Sequence, residues 1–206
     1  MCHAGPWHTH RIAEVHRAAR LWTRTRTRIV AWDRNRGVGP EAGRIVSRMG
    51  AVEFGGRGFW AYDVSLSLLL VEAIRAGEEL PADRRPAGLP GVLDQLRVVA
   101  VVPDLGFPIE ESWPPREVDL LRSLLIDVSR RLAVRGTVAA DGVATWDVLD
   151  GGTISLRGAE VVDLTPVIEL AGATVQLVEG TLPRAPAGTW WAYGFEGGRR
   201  TIAMRS

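Results

Sequence analysis

Apolar positions fall into two rhythms after residue 48. Val118, Leu121, Leu125, Val128 and Leu132 recur every three or four residues, which places them on one face of a helix. The stretch Ser112–Gly136 holds the matching punctuation. Ser112 is a cap, Pro114 and Pro115 suit a first turn, Glu117 and Asp119 lie near the start, and Arg130, Arg131 and Arg135 lie near the end. A second helix is predicted from Val64 to Ala76, capped by Asp63 and ended by Gly77. It is apolar nearly all round, so it should be central. A third begins at Asp163 or Thr165, carries Val167, Leu170, Ala171, Thr174, Leu177 and Val178 on one face, and ends at Gly180.

The other rhythm is that of strands. Ala51–Phe54 reads as a short strand before the turn Gly55-Gly56-Arg57-Gly58. Pro81–Gly91 reads as a loop, and Val92–Leu96 as a helical turn. Val98–Val102 is a continuous β-branched run closed by Pro103, the pattern of a strand buried on both faces. Val143–Leu149 and Thr153–Arg157 flank Asp150-Gly151-Gly152, a hairpin signal. Trp190–Phe195 and Thr201–Arg205 form a second hairpin around Glu196-Gly197-Gly198. Both hairpins read Thr-Trp, then Gly-Gly, then Thr-Ile, a likeness that a duplication would give and that convergence on hairpin chemistry explains more simply. The expected fold is α+β: a largely antiparallel sheet built from hairpins, with Val98–Val102 as an internal strand, covered by about three helices.

Residues 1–48 differ in kind. They carry ten arginines against Glu14, Asp33 and Glu41, a net +7, whereas residues 49–206 carry 15 arginines against 21 acids, a net −6. The expected organisation is therefore a basic N-terminal extension, 1–48, and one domain, 49–206. Arg11–Trp32 has helical spacing at Ile12, Val15, Ala19 and Trp22, but Thr23–Val30 alternates with period 2. The extension suits nucleic-acid phosphates through residues 11–36, with Trp22 and Trp32 for stacking. It also suits a transit peptide, or a translated extension with Met49 as the natural start. Cys2, His3, His8, His10 and His16 crowd its first part in a spacing that matches no structural zinc pattern, so no metal is expected.

Composition narrows the chemistry. All 25 basic residues are arginine, and after His16 the chain has no histidine, cysteine or lysine. Histidine-assisted nucleophiles, Schiff bases, P-loop phosphoryl transfer and His/Cys zinc sites are thereby excluded from the body. The expectation is no enzyme and no cofactor. A carboxylate-based, metal-assisted hydrolase remains as an alternative, with Asp104, Glu110 and Glu111 as its candidate site. One cysteine precludes an internal disulfide and fits a cytoplasmic location. No segment has the length of a membrane span, and no secretory signal is seen.

Tryptophan and arginine point elsewhere. Adjacent strand residues face opposite sides, so either Trp190 or Trp191 is expected to be exposed, near Arg199 and Arg200. With Tyr193 these make a candidate binding surface, because Trp and Arg are common interface anchors. The competing reading is an aromatic ring packed under its own arginine. The leading expectation is a non-catalytic cytosolic protein-binding module, such as a toxin-neutralising immunity protein or an accessory subunit, acting through an acidic surface and this hairpin.

Overall fold

The computed structural model describes residues 49–110, 113–144, 146, 148, 154, 156 and 159–203. All belong to one compact unit, Val46–Ser206. The basic extension 1–48, Glu111, Ser112 and most of the Val143–Arg157 hairpin lie outside the described residues.

The chain enters the domain as a hairpin, β1 (Met49–Phe54) and β2 (Arg57–Tyr62). Gly55 and Gly56 turn it with φ of 59° and 68°, the left-handed pair that a two-residue turn demands. Helix α1 (Asp63–Glu78) follows at once, and the Asp63 carboxylate accepts the Val64 N–H at 2.8 Å. Fourteen of the 16 residues of α1 are buried, so this helix is the centre of the domain, as its all-round apolar character predicts.

Helix α2 (Leu89–Val101) corrects the sequence reading: Val98–Val102 is not a strand. Val92, Leu93, Leu96, Val99 and Ala100 are buried at helical spacing, and the β-branched run is merely the last turn of that stripe. The chain then passes a 3₁₀ turn, Pro103–Leu105, and the two-residue strand β3 (Phe107–Pro108). Helix α3 (Pro115–Arg135) has the predicted proline start and ends before Gly136. A small hairpin-like pair, β4 (Thr137–Ala139) with β5 (Val161–Asp163), brackets the short helix α4 (Ala140–Ala144).

Helix α5 (Thr165–Val178) starts where the sequence indicates. Asp163 Oδ1 accepts both the N–H and the hydroxyl of Thr165, each at 2.9 Å. These bonds, the backbone one foremost, hold the exposed Asp163 carboxyl below its usual pKa. A group depressed in the folded state stabilises fully above its unfolded pKa, and that help fades as pH falls through the folded value. In urea titrations, the stability gap between wild type and Asp163→Ala is therefore expected to be flat above about pH 5 and to narrow below about pH 4. A gap that widens in acid would contradict this.

Strands β6 (Thr189–Tyr193) and β7 (Arg200–Ala203) complete the main sheet. Its order is β3-β1-β2-β6-β7. The β1–β2 and β6–β7 pairs are antiparallel, but β1–β3 and β2–β6 are parallel, so the sheet is mixed rather than largely antiparallel. Five α-helices, not three, occur among the described residues. Helices α1 and α5 pack on the sheet over Val52, Phe59 and Ala61; α3 lies across α1 and α5, and α2 lies beside α1. Among the described residues no helix is long and apolar enough to cross a membrane.

Candidate functional site

The β6–β7 hairpin is where the sequence places its binding residues, and the structure gives each a definite setting. Trp190 and Trp191 face opposite sides of β6, cross-strand from Ile202 and Thr201. Neither is exposed: both indoles are half-buried, which corrects the expectation of one free tryptophan. Trp191 donates its indole N–H to the Pro183 carbonyl at 2.9 Å. The Arg199 guanidinium lies 4.1 Å from the centre of the Trp191 ring. The Arg199 backbone N–H in turn donates to Glu169 Oε1 on α5, at 3.1 Å.

The next residue repeats the device. Arg200 sits over the Phe195 ring at 4.9 Å and donates to the Glu196 carbonyl at 2.8 Å. Phe195 itself leans on Tyr62, with ring centres 5.3 Å apart. Both arginines remain exposed while their guanidinium groups rest on aromatic rings. Tyr193 does not belong to this surface. It is 3% exposed, and its ring meets Phe59 edge-on at 5.0 Å. Its place is the core, because β6 turns it toward α1 and α5, on the same side as its register partner Ala61.

Of the acidic alternative, Glu111 lies outside the described residues. Asp104 lies in the 3₁₀ turn after α2, half-buried, and Glu110 is exposed beyond β3. Since Val98–Val102 is helical, Asp104 no longer follows a buried strand, and the argument from strand ends lapses. Among the described residues no three His, Cys, Asp or Glu side chains gather into a metal-binding group.

Two buried carboxylates lie elsewhere. Glu72 on α1 is 6% exposed and is met by Arg135 at 2.6 Å and Arg75 at 3.7 Å; Arg75 also covers the Trp146 ring at 3.7 Å. This network ties α1 to α3. Glu117, in the first turn of α3, is 2% exposed. It accepts from Arg116 Nε at 3.1 Å, and its Oε2 has no partner. Gly88 makes room for it, since a β-carbon there would stand 2.2 Å from Glu117 Oε1.

A groove that the sequence did not announce opens between the end of α1 and α3. Leu80, Pro81, Leu120 and Leu124 line it, and it encloses about 320 Å³. Arg131 stands at its rim between two carboxylates, Asp127 at 2.7 Å and Glu79. Hydrogen bonding to Glu79 pushes the Arg131 pKa above its usual value.

No protein-family model matches the sequence, and neither a curated protein nor a solved structure is similar to it.

Proposed function

We propose that this domain is a non-catalytic protein-binding module that offers the β6–β7 hairpin to a partner protein. The observation that carries this reading is the pair of arginine–aromatic stacks, Arg199 on Trp191 and Arg200 on Phe195, on adjacent positions of one hairpin. Interface hot spots are enriched in these residue types. Ordering long side chains is one of the costs of binding, and here the aromatic rings already order the arginines. The composition of the body supports the same reading, since most enzymes draw their proton shuttles and nucleophiles from the residue types missing after His16. A net charge of −6 on residues 49–206 favours a partner of opposite overall sign, with an acidic or carbonyl-rich spot opposite the two arginines.

The test is a partner captured from source cells, purified, and titrated calorimetrically against wild type and Arg199→Glu/Arg200→Glu. Circular dichroism of the variant should be unchanged, because both arginines lie on the surface. Affinity is expected to fall by about thirtyfold, or about 2 kcal/mol. Equal affinity for both proteins, or no partner at all, would reject the reading.

A further inference from the structure

Helix α3 carries a second stripe besides the one that packs on α1 and α5. At 100° per residue, Leu120, Leu124, Asp127, Arg131 and Val134 fall within about 80° of one another. The first four line or rim the groove against α1. Val134 continues the same line one turn further and is 90% exposed, far more than Val161 at 59% or Val102 at 40%. A lone surface valine needs no account. This one is collinear with an apolar groove, and the stripe between them carries both signs of charge.

The stripe also has a centre. Leu120 lies seven residues before Asp127, and Val134 lies seven after it. The groove is apolar at Leu120, Leu124, Leu80 and Pro81 and charged at Asp127 and Arg131; a face with an apolar hollow at one end, mixed charge at its centre and a knob at the other is complementary to itself under a two-fold rotation. We propose that this face binds a second copy of the chain, with the two α3 helices antiparallel about an axis at Asp127. Each Val134 then enters the groove at Leu120 of the partner subunit. Ser123, exposed on the groove wall, comes opposite Arg131 of the partner subunit. The two Asp127 carboxylates meet at the axis, and each has two guanidinium groups within reach, its own Arg131 and that of the partner subunit. That pairing offsets their repulsion and fixes the register. The contact is separate from the β6–β7 hairpin, so it stands or falls independently of the function proposed above.

One helical stripe with its flanking loop is at the small end of stable interfaces, roughly 1,000 Å², so dissociation is expected in the range of about 1–100 µM. Sedimentation equilibrium of the full chain from about 5 to about 500 µM should resolve a monomer–dimer equilibrium. Val134→Asp, at a position exposed enough to leave the fold intact, should weaken it at least tenfold with unchanged circular dichroism. In a Cys2→Ser background, Asp127→Cys should form an interchain disulfide under mild oxidation. Val134→Cys should not, because two copies of that position stand about 21 Å apart, well outside disulfide reach. A chain monomeric throughout the range overturns the proposal and leaves the groove to a foreign protein. A dimer indifferent to Val134→Asp overturns it as well, as does one that cross-links in the Val134→Cys variant and not in the Asp127→Cys variant.

Discussion

Replacing Gly50 by alanine is expected to destabilise the domain by about 3 kcal/mol, through overpacking that no side-chain rotation relieves. Gly50 is buried in β1, opposite Ala61. A β-carbon built there would stand 2.1 Å from the Pro103 carbonyl oxygen, 3.2 Å from Gly106 Cα and 3.3 Å from Leu66 Cδ2. The nearest obstacle is backbone, and it is already engaged: that carbonyl accepts the Gly106 N–H at 3.0 Å. Moving it would disturb the turn that delivers β3 to the sheet edge. For a chain of this size the thermal midpoint should drop by about 6–12 °C. Urea unfolding should show a lower midpoint at an unchanged slope. A neutral Gly50→Ala would mean that the Pro103–Gly106 turn does not press on β1.

The second large effect is expected for Phe59→Ala, at about 3–5 kcal/mol. Phe59 is fully buried on the face of β2 that meets the helices, and it pairs with Val52 across the hairpin. Its ring also meets Tyr193 of β6, so the residue joins the N-terminal hairpin to the C-terminal one. Truncation removes the transfer free energy, the aromatic contact and the packing around a cavity that a sheet cannot close by rotation. Phe59→Leu keeps most of the volume and should recover more than half of the loss. If both variants unfold at the wild-type midpoint, the parallel junction of β2 and β6 is not what holds the sheet together.

Helices with a clear period were legible in the sequence. α1, α3 and α5 lie where their apolar spacing puts them, and the proline starts and glycine ends hold for α3 and α5, whereas Gly77 does not end α1, which runs on to Glu78. α2 was misread for a physical reason. Val98-Val99-Ala100-Val101-Val102 offers no polar residue to betray a period, and β-branched residues fit either state in an apolar setting. The cue that would have decided it lies upstream, in Leu89, Val92, Leu93 and Leu96, which carry the 3.6-residue repeat into the run. Strand β2 is hidden in the sequence because its first two residues, Arg57 and Gly58, read as the tail of a turn.

Sheet order was beyond reach for a different reason. The parallel pairing of Trp60 with Ala192 joins residues far apart in the chain, and nothing local encodes such a pairing. The candidate surface was half legible. Trp191, Arg199 and Arg200 do come together, because one hairpin carries them. Strand alternation alone could not place Tyr193 inside, since that depends on which face of β6 the helices cover. The groove beside α3 escaped notice because Leu120, Leu124 and Val134 stand off the dominant stripe and look, in one dimension, like ordinary surface and core residues.

Among the described residues the main sheet has two blunt margins. On one side β3 offers only Phe107 and Pro108, and a proline has no amide hydrogen to give a newcomer. On the other, β7 is four residues long and begins with an exposed arginine. Short, charged or proline-bearing borders discourage an incoming chain from extending the hydrogen-bond ladder. Fibrous self-templating through this sheet is thereby disfavoured, and a partner is expected to dock with side chains rather than by lending the domain another strand.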